Sequence, residues 1–595
     1  MLRVEIVASG CRYHRWYGGI MAATPPVSLE ALKNYPTMTR WFHPLLLSKL
    51  LLRVIVSDMF GQYADRRLVM AALDRVPNKE LYDRTQLKLP TDADGNLWID
   101  YVADLGDGFD STYAIASLLA KETLDVGGMS TRRGALLVMG GDEVYPLASA
   151  DNYRKRLRDP YDWAFPDHDP RSDMGPSVYC IPGNHDWYDG LVTFLALFSR
   201  KELLHLGGWR SRQRRSYFAL QLTESWWLWC ADTQLDDDLD QPQKEYFVSI
   251  ASRMPEGSNI ILCGPEPGWL YTPSNDSARA ILDYIGWLAK NAERDLKIPI
   301  VISGDTHIYS RYSSDDMTQF ITSGGGGAFL HPTHQLKDSI EMEWVGRKSR
   351  LSLKTAPGAD HAPTQTAACF PTREQSRTLL NGNSLFFAKN WEFSSLLGAI
   401  YWVLGMAIAA RAQTDAYVIA LLFLCGGMLG YFGYQEGWKR PKVYISSILH
   451  GSAHFLAFVF LTCLFVGVNH RLGLHGMWWW FFALGVELIP AGLVIGGFIF
   501  GLSLLITCRW FDMNHNDAFS AMRLDSYRHF LRMRFGTNGE ITIFPISLDA
   551  VPKRDEWAAN PAWSARNPKE PAYCPKSAMQ PRLIEEPITV RSKVR

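Results

Sequence analysis

Four short segments concentrate residues able to bind a cation or move a proton. YVADLGDGFD carries Asp104, and LLVMGGDEVYP carries Asp142 and Tyr145. YCIPGNHDW carries Asn184, His185 and Asp186, and IVISGDTHIYSRY carries Asp305 and His307. Hard oxygen ligands mixed with imidazole suit Mn, Fe, Mg or Zn. Two such ions side by side can hold a phosphate and activate a water for in-line attack. An Asp or Gly after a strand often only makes a turn, so each segment alone says little. All four in order, each behind an apolar run, are more than a turn pattern.

Those runs must position the groups. Trp98–Ala103, Ala135–Met139, Val178–Ile181, Trp226–Ala231, Asn259–Cys263, Ile298–Ser303 and Phe320–Thr322 are rich in β-branched, aliphatic and aromatic residues. They close on Gly, Asp or Pro, as strands do. Their alternation with helical stretches predicts a layered α/β domain. A polar side chain at the C-terminal tip of such a strand faces the crevice where open sheets hold their sites. Asp151–Met174, full of Asp, Arg, Pro and aromatics, reads as a polar, substrate-facing loop.

The series D-x-G, G-D, G-N-H-D and G-D-x-H resembles that of the calcineurin-like metallophosphoesterases over about residues 97 to 330. GNHD is its most specific piece. DLG and GDEVY are closest to the purple-acid-phosphatase variant of the motif. The resemblance implies a β-sandwich metallophosphoesterase fold and two divalent ions. It implies that Asp104 and His307 hold the first ion, that Asp142 bridges both and that Asn184 holds the second. His185 would stabilise or protonate the reacting ester, and Tyr145 matches an iron-binding tyrosine. Two departures stand out. The stretch IILCGPEPGWLY lacks the family's further His and offers Glu266 nearby, and Asp305 stands where the family's last motif has its first His. The second ion would then see a more oxygen-rich site, which favours Mn or Mg over Zn. GDGFDSTYA, GGGGAFLHPTH and the late HNDAFS extend the resemblance to an uncharacterised group of membrane-bound calcineurin-like phosphoesterases.

Weaker candidates lie around this set. Arg210, Arg212, Arg214 and Arg215 could clamp a phosphate or simply form a solvated face. Gly324–Gly327 permit close backbone approach, and His331 and His334 follow them. Lys+Arg and Asp+Glu both number 61, so no basic excess points to nucleic acid. The nine Cys form no CxxC pair, and several lie in apolar runs, which speaks for buried thiols and a reducing compartment.

Four apolar blocks follow: Ser394–Ala410, Ala416–Tyr434, Tyr444–Val468 and Met477–Thr507. A bilayer crossing takes about 20 residues. The fourth is longer and carries Pro490, which leaves one kinked helix or a hairpin. Basic residues at Lys439, Arg440 and Lys442, and again at Arg509, Arg523, Arg528, Arg532 and Arg534, place both termini and the middle loop in the cytoplasm. His450, His454 and Glu487 lie inside these blocks and are read as helix–helix hydrogen-bonding groups. The apolar run Pro44–Val56, with Lys49 and Arg53, is too short to span.

The expected organisation is an N-terminal segment at residues 1–96 with a helix packing on the catalytic domain. A metallophosphoesterase domain at 97–345 and a connector at 346–393 follow. Four transmembrane helices then occupy 394–507, and a helix, strand and tail fill 508–595. The expected function is a metal-dependent hydrolase of a phosphate ester or pyrophosphate, lipid-linked or soluble, in the cytoplasmic (inner) membrane and facing the cytoplasm. Its expected partners are a phosphorylated substrate and membrane lipids. The alternative is a membrane-tethered sensor that keeps the fold and uses its depleted site to bind metal or ligand.

Overall fold

A computed structural model describes residues 29–50, 67, 89–167, 172, 174–199, 203–233, 239–271, 276–357, 365–411, 414–438, 440–474, 476–563 and 570–591. The chain forms two units, each discontinuous in sequence. The first takes in Met1–Thr39, Arg53–Thr372 and Asp525–Arg595, and the second Arg40–Leu52 and Arg373–Leu524.

The first unit is built on two nine-stranded sheets. In one, β1 (Leu97–Val102), β2 (Leu136–Met139) and β3 (Ser177–Cys180) run parallel. In the other, β4 (Asn259–Cys263), β5 (Lys297–Ser303) and β6 (Gln319–Ser323) run parallel behind Trp226–Cys230. These strands read as continuous apolar runs because both faces are covered. Alternate residues divide between the faces. Ile99, Tyr101, Val138, Tyr179, Leu228, Ile261, Ile300 and Ile321 fill the layer between the sheets. Trp98, Val102, Leu137 and Val178 pack outward on helix Phe109–Ala120, through Phe109 and Tyr113. Trp229, Ile260, Leu262 and Phe320 pack on helices Gln241–Ala251 and Asp276–Lys290, through Phe247 and Ile285. The order of layers is helix, sheet, sheet, helix.

The structure departs from the sequence reading in four places. Asp151–Met174 is not a loop at its start: residues 150–164 are helical, with Tyr153, Leu157 and Tyr161 fully buried. Their spacing of four makes one apolar helix face, which the surrounding charges and Pro160 mask. Arg347–Leu353, inside the expected connector, pairs with Ser339–Trp344 and Tyr309–Ser313 and continues the second sheet. Its Leu351 and Leu353, two residues apart, fall on one face and pack into the outer core of that sheet.

The largest departure follows the last apolar block, where a long helix and then a strand are expected. Helix is confined to His515–Ser520, and β7 (Arg528–Phe535) and β8 (Glu540–Leu548) are strands. β7 lies antiparallel between β1 and β8, from Leu97 opposite Phe535 to Tyr101 opposite Leu531. Leu531, Met533 and Phe535 face the inter-sheet layer, and Phe530 faces the outer core. Arg528 and Arg532 imitate an i, i+4 helix pair, yet both are buried, and Arg532 is bidentate to Asp100 at 2.7 and 3.0 Å.

In the second unit, α1 (Trp391–Arg411), α2 (Thr414–Glu436), α3 (Pro441–Arg471) and α4 (Met477–Trp510) are long and apolar enough to cross a membrane. α4 is one helix through Pro490, not a hairpin. Glycines let the helices meet: a Cβ on Gly398 would stand 2.2 Å from the Ile489 carbonyl, and one on Gly451 2.6 Å from Cys425 Cα. Outward faces carry Leu422, Phe460 and Val486, each about two-thirds or more exposed. Polar side chains bridge between helices. Tyr401 Oη lies 2.8 Å from His454 Nδ1, whose Nε2 lies 3.0 Å from His450 Nε2, and Asn469 donates to Glu487 at 2.9 Å. The apolar run from Pro44 belongs here rather than to the sheet unit. Residues 44–50 are helical, and Phe42 packs on Phe386, Phe393 and Phe500 at 5.1, 5.4 and 5.8 Å. Residues 51–56, with Arg53, and Lys439 lie outside the described residues.

Candidate metal centre at the strand tips

Asp104, Asp142 and Asp305 each follow the end of a parallel strand, and each sits in the left-handed region, with φ of 58°, 54° and 63°. Asp tolerates this conformation better than most residues. Left-handed turns thus end all three strands. Turn is tied to turn: Asp104 N donates to Gly141 O and Leu105 N to Asp142 O, both at 2.9 Å, and Asp305 N donates to Asp104 Oδ1 at 3.1 Å.

Tyr145 joins the tips. Its hydroxyl lies 3.1 Å from Asp104 Oδ1, 2.9 Å from Asp142 Oδ2 and 2.9 Å from His307 Nε2. His307 Nδ1 lies 2.5 Å from the Phe329 carbonyl, which only accepts, so Nδ1 carries the hydrogen and Nε2 the lone pair. With both carboxylates ionised, one phenol hydrogen therefore faces three acceptors. Asp104 Oδ2 and Asn184 Oδ1 are also buried, with no hydrogen-bond partner among the described residues. Burial, and then the charge of Asp305, pushes the Asp104 carboxyl well above the usual carboxylate range. Burial, and then the charges of Asp104, Asp186 and Asp305, does the same to Asp142. Burial, with His331 next in weight, pushes His307 well down and keeps it neutral. This is an electron-rich cluster short of positive charge, and its oxygen and imidazole donors fit a divalent cation.

Asn184 and His185 form the rim, at the start of the short helix Asn184–Trp187. His185 N donates to Asp142 Oδ1 at 2.8 Å, and its Nδ1 donates to the Pro146 carbonyl at 2.9 Å. Nε2 is left with the lone pair. Burial lowers the His185 pKa to about 4. Two glycines make the close approach possible. A Cβ on Gly183 would lie 2.2 Å from Asp142 Oδ1, and one on Gly324 2.1 Å from Asp104 Oδ2.

Hydrogen bonds and backbone connections thus bring Asp104, Asp142, Tyr145, Asn184, His185, Asp305 and His307 together. His331 stacks on His307 at 4.1 Å between ring centroids, and His334 follows half-buried in the same loop. Arg210 is engaged elsewhere. It lies opposite Ser177, at the far end of β3 from Asn184, and donates to Asp167 at 2.7 Å and to Ser172 O at 3.1 Å. Gln213 accepts from Cys180 N at 2.7 Å, so Arg214 and Arg215 come at the site's edge of the sheet, with Arg215 donating to Tyr217 Oη at 2.7 Å.

Several groups at the site escape the sequence reading. Tyr271 donates to Asp305, and Tyr153 donates to Asp186. Asp186 also accepts from Gly183 N at 2.9 Å and Glu143 N at 3.2 Å, which fastens the GNHD turn under Asp142. Asp186 is a candidate already in the sequence, whereas Glu143 is not. Tyr271 and Tyr153 carry no local signal.

No family model matches the chain, and neither does any curated protein sequence. Among solved structures it is similar to GAP50, the anchor in the inner membrane complex of Plasmodium, at 14% identity and a TM-score of 0.28. That match covers 41% of this chain and 80% of the other. It is also similar to a structure of PhoD, at 12% identity and a TM-score of 0.26, over 45% of this chain and 67% of the other.

Proposed function

We propose that this protein is a membrane-anchored metallophosphoesterase that hydrolyses a phosphate ester or pyrophosphate. The observation that carries the reading is the single phenol hydrogen of Tyr145 among three acceptors, beside the unpartnered oxygens of Asp104 and Asn184. Asp104, Asp142, Tyr145, Asn184, Asp305 and His307 would hold the divalent metal, two ions of Mn, Fe, Mg or Zn. When bound, such ions fix a phosphoryl oxygen and lower the pKa of a water. His185 stands at the rim, with Nδ1 bonded to the Pro146 carbonyl and the lone pair therefore on Nε2. A phosphoryl dianion beside it would raise its pKa and let it donate to the ester oxygen. His331, Arg214 and Arg215 would meet the rest of the substrate.

The helical segment leaves the sheet unit after Thr372 and re-enters it at Asp525. One folded unit stands on one side of a bilayer, so the crossings are even in number, and four helices satisfy this. Arg440, Lys442 and Arg509 at the ends of α2, α3 and α4 favour the cytoplasm for that side. Arg528 and Arg532 are buried in the sheet and drop out of this count. A lipid-linked phosphate suits an enzyme held at that surface.

The test is hydrolysis by the full-length protein in detergent with Mn, Mg, Fe or Zn, across phosphorylated lipids and nucleotides. Turnover that Asp142→Asn and His185→Ala abolish is expected. Metal binding without turnover on any of them would leave the sensor reading in its place.

A further inference from the structure

β7 overshoots β1. Their pairing covers Leu531–Phe535, and Arg528–Phe530 run on past the point where Ala103 and Asp104 turn away. There β7 meets the glycine loop instead. His529 N donates to Gly325 O at 3.1 Å, and the Arg528 guanidinium donates to the Ala328 carbonyl. Arg528 is fully buried and also donates to Ser526 O, at 3.0 and 2.7 Å. On its other side the loop is fastened to the strand tip that carries Asp104. Gly326 N donates to Ala103 O, and Ala328 N to Asp104 O, both at 2.9 Å. Phe329, the next residue, supplies the carbonyl that orients His307.

The fit has no slack. A Cβ on Gly325 would lie 2.2 Å from His529 Nδ1, while one on Gly324 would meet Asp104 Oδ2. The loop is one layer of backbone pressed between the head of β7 and the Asp104 carboxylate. Arg528 is also a buried cation near Asp107, Asp104 and Tyr145, and burial lowers its pKa to about 10.

We propose that Arg528 and His529, at the head of the strand that follows the four long helices, are positioning residues for the metal centre. They clamp the glycine loop that sets the Asp104 carboxylate and the His307 ring. The centre is thus finished by chain that arrives only after the helical segment. This rests on the metal-centre reading above.

The experiment is Mn(II) titration of chelator-stripped full-length protein in detergent, with the EPR spectrum of the bound ion and the metal-free melting temperature measured alongside. Loss of an outer support of a metal ligand typically costs about 10- to 100-fold in affinity. Arg528→Gln is expected to weaken Mn(II) binding within that range and to change the spectrum, with the metal-free melting temperature within a few degrees of wild type. Gly325→Ala should weaken binding likewise, and Gly325→Ala with His529→Ala, which vacates the clashing ring, should restore most of it. The size-swapped pair decides the matter if Arg528→Gln does not fold. Wild-type affinity and spectrum in Arg528→Gln and Gly325→Ala, or no recovery in the double variant, overturns the proposal. A wild type that binds no Mn(II), or an Asp142→Asn variant that binds it equally well, overturns the metal-centre reading instead.

Discussion

At the scale of single residues, the site is a problem of excess acceptors. Tyr145 has one hydrogen to share between two carboxylates and an imidazole lone pair, and glycine is the only residue that leaves room beside them. Gly324→Ala would put a methyl 2.1 Å from Asp104 Oδ2 and 2.6 Å from the Thr306 carbonyl. We expect this substitution to abolish metal binding, measured by metal content after gel filtration, while the far-UV spectrum of the protein stays unchanged. His529 gives a second residue-scale prediction. Burial first, and the charge of Arg528 next, lower its pKa from 6.5 to about 3. The folded ring stays neutral where the unfolded one takes a proton. Its contribution to stability is therefore complete above pH 6.5 and is lost as pH falls toward about 3. Buried carboxyls with raised pKa act in the opposite sense, so the readout is a difference. The drop in melting temperature between pH 7 and pH 4 should be smaller in His529→Phe than in wild type.

At the scale of elements, the strand tips do most of the work of assembly. β1, β2 and β3 are adjacent and parallel, so Asp104, Asp142 and Asn184 emerge side by side; β5 brings Asp305 and His307 from the opposing sheet. β7 fills the remaining edge of β1. Arg532 and Asp100 fasten it there as a buried bidentate pair, with Arg532 also 3.3 Å from Thr131 Oγ1. Removing one partner of a buried ion pair leaves the other uncompensated and costs about 3–5 kcal/mol. Arg532→Leu should destabilise the sheet unit by that amount in chemical denaturation, and Arg532→Leu with Asp100→Leu should recover part of it. A single variant as stable as wild type would show that β7 is not an integral strand.

At the scale of the whole molecule, the helical segment is an insertion into the sheet unit rather than an appendage to it. Chain leaves after Cys369–Phe370 in one sheet and returns as β7 in the other. On the four crossings proposed, the turn between α1 and α2 and the turn between α3 and α4 would lie at one membrane face, and the turn between α2 and α3 at the other. A cysteine placed at Leu472 should react with an impermeant maleimide added outside intact cells. One placed at Gly437 should react only after permeabilisation. The reverse pattern would invert the proposed orientation, and labelling of both from outside would refute four crossings.

The sequence alone determined what is local. Each apolar run that closes on Asp, Gly or Asn specifies both a strand and the turn that ends it, so Asp104, Asp142, Asn184, His185 and His307 could be read as tip residues. Apolar blocks of about 20 residues likewise specify a helix fit for lipid whatever surrounds them. What lay beyond sequence was every relation between segments far apart in the chain. Tyr271 over Asp305, the Phe329 carbonyl behind His307 and Arg528 under the glycine loop have no spacing to betray them. Arg528 and Arg532 even carry the period of a helix, and only the open edge of β1 makes their segment a strand. Tertiary structure decided these points because hydrogen-bond pairing across a sheet and burial of charge against charge are settled by partners, not by neighbours in sequence.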